Sequence, residues 1–214
     1  MQRISIMLEV KDATIVAGGR TIATGLSFMA RDGKLTCITG SEGSGKTALI
    51  RTLMGFLPVG NGFVSVDGEL LTVRSAHAFR SMMAYLPQQM QMLRHHLSPD
   101  SCIPTPDTSF LSPESEEYAV WNALLPLTAQ EQPAEPLSPE EIFQLAQETL
   151  ERAKDKPIVI ADEPAALLTP ELFLRMLQLL RSQADAGKTV LITSRKQQMV
   201  AYADQVINLD MLKR

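Results

Sequence analysis

The chain has 214 residues, is 45% hydrophobic and 21% charged, and carries a formal net charge of −4. That is enough chain for a substantial core in one or two domains, with the composition of a soluble globular protein. The acidic balance gives no electrostatic footprint for nucleic acid, and no apolar stretch approaches the length of a membrane span. Residues 4–38 alternate short β-like runs with turns at Gly18-Gly19, Gly25 and Asp32-Gly33, which predicts an antiparallel β layer. Leu35–Thr39 is an apolar strand, and a helix is expected over residues 46–57, ending near Gly55 and Pro58. Short strands follow at Gly62–Gly68 and Met82–Leu86, the second stopped by Pro87.

From Arg94 to Pro139 the texture changes. Prolines recur at positions 99, 104, 106, 113, 126, 133, 136 and 139, and Glu114–Leu125 is the one helical pattern there. This segment reads as an irregular insertion or subdomain. Residues 140–154 then form an amphipathic helix with Ile142, Leu145, Ala146, Leu150 and Ala153 on one face. Ile158–Ala161 is an unbroken apolar run, as in a strand buried on both faces, and it ends in Asp162-Glu163. A helix over 170–183 has Thr169 as its cap and Pro170 at its first position. Val190–Thr193 and Val206–Leu209 complete the strands. Strand–helix alternation in this half predicts a mostly parallel sheet flanked by helices.

Residues 40–47 read Gly-Ser-Glu-Gly-Ser-Gly-Lys-Thr, a G-x-x-x-x-G-K-[ST] phosphate-binding loop between a strand and a helix. Glycine lets the backbone bend tightly and bring its N–H groups against phosphate oxygens. The helix that follows points its positive end at the same place. The expected cofactors are ATP and Mg²⁺. The nucleotide-binding set is Gly40, Ser41, Glu42, Gly43, Ser44, Gly45, Lys46, Thr47 and Ala48. Lys46 reaches the β- and γ-phosphates, and the Thr47 hydroxyl ligates the metal. The fold class is therefore α/β: a P-loop NTPase fold with a mostly parallel sheet, an antiparallel β layer at the N-terminus and a small irregular helical insertion. Residues 1–93 and 140–214 form the ATP-binding core, and 94–139 the insertion.

Asp162, at the end of a buried strand, is the carboxylate expected to hold Mg²⁺ together with Thr47. Glu163 beside it is placed to polarise water for attack on the terminal phosphorus, so Glu163 and Lys46 are the catalytic candidates. Gln88, a neutral amide after a strand, is a further candidate for the metal or for orienting water. Cys37 and Cys102 are far apart, and Cys37 falls in a buried strand, as expected of a reduced, cytosolic protein. His77, His95 and His96 lack metal-ligand spacing. Met1–Glu9 is too short and mixed to read as a signal peptide.

In this order, from about Leu8 to Leu209, the pieces resemble the nucleotide-binding subunit of ABC-type ATPases. Gly25-Leu26-Ser27-Phe28 and Asp32-Gly33 look like the strand and turn before that family's loop. Gln88 matches its Q-loop glutamine, Asp162-Glu163-Pro164 its Walker B end, and Ala203-Asp204-Gln205-Val206 its A-D-x-V. The resemblance implies a cytoplasmic chain, peripheral at the inner face of the cell membrane when bound to a membrane-embedded transporter subunit. It also implies a second nucleotide-binding subunit, the same or different, across a pair of sandwiched ATPs.

The departures from the family pattern are equally specific. Where LSGGQ is expected stands Leu137-Ser138-Pro139-Glu140-Glu141. Serine as cap, proline in the first turn and Glu141 as the third helical residue make a self-contained helix start. The same Ser-Pro-acid pattern at Ser98-Pro99-Asp100 and Ser112-Pro113-Glu114 is explained by turn or helix initiation without function. Two carboxylates would face the opposing γ-phosphate, each at a cost on the order of 4 kcal/mol at ~4 Å and an effective dielectric of 20. Ser194 aligns with the switch histidine, followed by Arg195; Thr169 aligns with the D-loop aspartate and Ala17 with the adenine-stacking aromatic. Arg20 is an alternative stacking group or a solvated turn residue. Three readings follow: a transporter ATPase subunit, weakly active or dependent on a partner's signature; a hydrolysis-impaired nucleotide-binding module; and a small-molecule P-loop kinase. The absence of an arginine-rich lid and the contexts of Gln88 and Pro164 argue against the last.

Overall fold

The computed structural model describes residues 7–90 and 136–212. The expected insertion over 94–139, up to residue 135, lies outside the described residues, and so do its helix at Glu114–Leu125, His95, His96 and Cys102. Nine strands divide into two sheets among the described residues. Strands β1 (Leu8–Ala17), β2 (Arg20–Ala30), β4 (Val59–Val66) and β5 (Glu69–Leu70) form an antiparallel layer in the order β2-β1-β4-β5. Strands β3 (Leu35–Thr39), β6 (Met83–Leu86), β7 (Ile158–Asp162), β8 (Thr189–Thr193) and β9 (Gln205–Asn208) form a parallel sheet in the order β6-β7-β8-β3-β9. The helices are α1 (Lys46–Leu53), α2 (Ala76–Ser81), α3 (Pro139–Arg152), α4 (Pro170–Asp185) and α5 (Gln197–Tyr202), and Leu209–Leu212 adds a 3₁₀ turn.

The apolar runs of the parallel strands follow from burial on both faces. Leu35, Cys37, Val159, Ala161, Val190 and Ile192 face one core with α3 and α4. Ile38, Ile158, Ile160 and Leu191 face the other, with α1 and the antiparallel layer. Side chains of a strand alternate between faces, so each strand serves both cores. On α3 the buried stripe is Ile142, Phe143, Ala146 and Leu150. Phe143 joins the expected face, with the Arg175 guanidinium of α4 4.5 Å from its ring centroid, whereas Leu145 is half-buried.

The structure shifts several expected boundaries. Helix α1 stops at Leu53 rather than 57. Gly55 takes a left-handed conformation (φ 74°), which lets Phe56 N–H reach Arg51 O at 2.8 Å and Gly55 N–H reach Thr52 O at 2.9 Å, closing the helix end. Strand β4 begins earlier, at Val59, because pairing with Ile15 and Thr14 of β1 recruits Val59-Gly60-Asn61, a stretch with little strand propensity of its own. Helices α2 and α5 carry few periodic apolar residues. The first is held by buried Arg80, stacked 4.8 Å over Phe56 with its Nη1 on Met54 O, and the second buries Met199.

Asp204 ties three elements together. Its carboxylate accepts from Leu35 N–H at 2.9 Å and from Arg181 Nη1 at 2.7 Å, and Lys34 Nζ lies 3.5 Å away. Burial pushes its carboxyl upward, but the Leu35 N–H and the Arg181 guanidinium outweigh this and hold it below the usual carboxylate range. With the folded value depressed, the stabilisation is complete above the unfolded carboxylate pKa and is lost as pH falls through the folded value. Asp204→Asn is therefore expected to lower stability by about 1 kcal/mol near neutral pH, the pair being partly exposed. In denaturant titrations that difference should stay level from about pH 8 to 5 and shrink below about pH 4. A difference that persisted in acid would separate the effect from the ionised carboxylate.

Candidate nucleotide site

Strands β3, β7 and β8 are parallel and adjacent, so their carboxyl ends, and the loops that leave them, converge at one edge of the sheet. The loop from Gly40 to Gly45 leaves β3 and enters α1 there. Gly45 is its tightest point. It has φ 94°, and a Cβ in its place would overlap the Ile22 side chain of β2, so both backbone conformation and space demand glycine. Lys46 begins the helix, buried, with Nζ donating to Gly40 O and Ser41 O at 3.0 Å each. An ammonium has three donors, and the loop carbonyls take two. Its remaining side faces Glu163 Oε1 at 3.7 Å.

Asp162 ends β7 in register with Thr193 of β8. The Thr193 hydroxyl donates to Asp162 Oδ1 at 2.5 Å and accepts from Glu163 N–H at 2.8 Å. One hydroxyl thus fixes both acids. Asp162 is 1% exposed, and its Oδ2 has no hydrogen-bond partner among the described residues. Ser44 Oγ, at the centre of the loop, is likewise buried and unpartnered. A buried carboxylate oxygen without a donor is costly, and a hard cation is the group that satisfies it. The donor set of Asp162 and the Thr47 hydroxyl at the start of α1 therefore fits Mg²⁺. Glu163 is 8% exposed and sits at φ 46°, a left-handed conformation rare for a non-glycine residue, of the kind found where structure over-determines a functional group. Gln88 lies just past β6, the neighbour of β7, with its side chain exposed.

Comparison with known proteins agrees with this layout. The family model described as ABC transporter matches residues 23–166, more than half of the chain. The chain belongs to the ABC transporter family. The ABC transporter ATP-binding/permease protein Rv1747 of Mycobacterium tuberculosis is 27% identical over 209 residues, covering 94% of this chain and 24% of its own. The arginine transport ATP-binding protein ArgV of Corynebacterium glutamicum is 24% identical, covering 94% of this chain and 86% of its own. The fold matches a bacterial Atm1-family ABC exporter with ATP bound, at TM-score 0.68 and 20% identity over 100% of this chain and 39% of that one. It also matches an ATP-binding subunit of an ABC transporter, at TM-score 0.64 and 21% identity over 94% and 85%. The matched segments cover 24%, 31% and 38% of the length of three curated relatives.

Within this ABC fold, the start of α3 has its own local logic. Ser138 caps α3, with its Oγ accepting from Glu141 N–H at 3.2 Å while Glu141 Oε2 accepts from Ser138 N–H at 2.9 Å. This reciprocal capping box, with Pro139 at the first helical position, is the one its sequence predicts. Two donors at the helix start are thereby engaged, and Glu140 and Glu141 both sit in the first turn. Thr169 caps α4 through Leu172 N–H as expected. Ser194 is buried and its Oγ accepts from Lys196 N–H at 3.1 Å. Ala17 ends β1 beside the Gly18-Gly19 turn, and Arg20, across that turn, is exposed.

Three residues at the site escape a motif reading. Thr193 is legible only from strand register. Asp210 clamps the phosphate loop, accepting from Ser41 N–H at 2.7 Å and Ser41 Oγ at 2.8 Å. Arg195 reaches back to Glu42 Oε2 at 2.9 Å and Glu163 Oε1 at 3.5 Å. Burial, with a lesser push from Glu163, raises the Cys37 thiol to about 12, so this thiol behaves as an apolar core group. Replacing Thr193 by Val preserves shape but strands the Glu163 N–H and removes a donor from Asp162. The variant is expected to lose about 2–3 kcal/mol in chemical denaturation. A loss under about 0.5 kcal/mol would mean that neither buried group depends on the hydroxyl.

Proposed function

We propose that the chain binds Mg-ATP at Gly40–Ala48 as the ATP-binding subunit of an ABC-type transport system, and hydrolyses it weakly or only when a partner subunit completes the site. The observation that carries this reading is the unpartnered, buried Asp162 Oδ2 beside a glycine-bent loop whose lysine is already turned inward. Backbone N–H groups of the loop and the α1 N-terminus receive the phosphates, and the Lys46 ammonium offsets their charge. Thr47, Asp162 and Gln88 hold the metal, Gln88 from the end of the neighbouring strand. Bound Mg²⁺ supplies positive charge against the terminal phosphates. Glu163 accepts the proton of the attacking water. The partners are a membrane-embedded subunit and a second nucleotide-binding subunit, identical or different, and the chain works in the cytoplasm at the inner face of the membrane.

A second reading, a nucleotide-held module with impaired hydrolysis, is favoured by two observations. Glu163 Oε1 is already engaged in two ion pairs, with Lys46 at 3.7 Å and Arg195 at 3.5 Å. The α3 start is filled by its own cap and two acids. The two readings part on turnover. Purified chain with Mg²⁺ is expected to bind ATP, and Lys46→Ala to abolish binding. Turnover above the Lys46→Ala blank that falls at least tenfold in Glu163→Gln supports the first reading. Turnover equal in wild type and Glu163→Gln removes Glu163 from the base role and favours the second.

The charge at α3 has its own test. Glutamine at both Glu140 and Glu141 removes two negative charges yet leaves an amide able to close the capping box. In the Glu163→Gln background this double change is expected to promote ATP-dependent dimers on gel filtration. Persistent monomers with ATP bound would show that charge is not what keeps the sandwich apart.

A further inference from the structure

Of the two cations that meet Glu163, Arg195 is the one whose side chain stands well out in solvent. Its side chain is 49% exposed, against 8% for both Lys46 and Glu163. Its pair with Glu42 contributes little to stability, because the Glu42 side chain is 90% exposed. That exposed pair therefore does not account for an arginine placed here; its other contact, Glu163, is the buried one. The backbone on which it rides is nevertheless fixed on both sides. Ser194 is buried, and Lys196 is tied down by Ser194 Oγ, by a hydrogen bond from its Nζ to Ala165 O at 2.5 Å, and by the Phe173 ring at 5.0 Å. An exposed cation on a fixed backbone faces the phosphate loop through Glu42 and the strand-end acid through Glu163.

The decisive detail is that Lys46 Nζ and Arg195 Nε approach the same oxygen, Glu163 Oε1, at 3.7 and 3.5 Å. Two cations converging on one anionic oxygen beside a phosphate loop are arranged as they would be around a phosphoryl oxygen. A guanidinium takes carboxylate and phosphate in the same forked geometry, so exchange of one anion for the other needs only a side-chain movement. Resting on the Mg-ATP reading above, we propose that Arg195 is the group that recognises the terminal phosphate: it leaves Glu163 for the γ-phosphoryl of a nucleoside triphosphate and so selects triphosphate over diphosphate. The same movement releases Glu163 from one of its two cations when a triphosphate is bound. A diphosphate, which ends short of that position, leaves the Arg195–Glu163 pair in place.

The test is a pair of calorimetric titrations, Mg-ATP and Mg-ADP, on the wild-type chain, Arg195→Gln and Arg195→Lys, with thermal melts to check that each variant is folded. Arg195→Gln is expected to lower the preference for ATP over ADP by about tenfold, the loss of one charge-assisted contact, with ADP affinity unchanged within about twofold. Arg195→Lys, which keeps the charge, retains more of the preference than Arg195→Gln. Equal changes for both nucleotides, no change for either, or a lysine variant worse than the glutamine variant would overturn the assignment. Wild-type chain that binds neither nucleotide would instead bring down the Mg-ATP reading itself, and this inference with it.

Discussion

A carboxylate buried at the end of an apolar strand has to be held by its neighbours, and the site is organised around that requirement. Asp162 sits where β7 leaves a sheet covered on both faces, far from water. Thr193, brought alongside by parallel register, gives it a donor and at the same time fixes the backbone of Glu163. From there Glu163 meets Lys46, and Lys46 holds the loop carbonyls of Gly40 and Ser41. A single hydroxyl thus links the strand-end acids to the loop, and the strained conformation of Glu163 persists because each of its contacts is set by an element packed elsewhere.

The same reasoning explains what was legible beforehand. The phosphate loop, Asp162-Glu163, the capping box at Ser138 and the Thr169 cap are local patterns, in which residue type and spacing carry the chemistry. Strands β3, β6, β7 and β8 were legible because two-faced burial leaves a largely apolar run. Thr193, Arg195 and Asp210 were not, since each acts on a residue far along the chain. Thr193 is 31 positions from Asp162, Arg195 is 153 from Glu42, and Asp210 is 169 from Ser41. Nothing in a local window distinguishes them from ordinary strand-end or surface residues. The six-residue helices α2 and α5 were missed for a related reason: tertiary contacts of Arg80 and Met199, rather than periodicity, hold them.

The start of α3 shows how local and assembly-level demands can diverge. A capping box is a good solution for an isolated helix, since it satisfies donors that otherwise need a ligand or water. In the ATP sandwich that the resemblance implies, those donors are the ones a nucleotide on an opposing subunit would use. Here Ser138 and Glu141 satisfy each other, and the helix stands without a partner. The loop side keeps its glycines and its buried lysine, and the start of α3 is closed on itself.

The Asp210 clamp on Ser41 carries a consequence for how the site comes into being. The strand before the phosphate loop lies between β8 and β9 in the sheet, and its flank is closed by a residue in the turn after β9. On a ribosome the loop emerges before its sheet neighbours and its clamp, Asp210 lying 169 positions after Ser41. Contacts of such sequence separation form late, after loop-closure entropy has been overcome. The phosphate loop is thus made well before it acquires its folded surroundings, and the nascent chain holds it without its clamp until residue 210 has emerged.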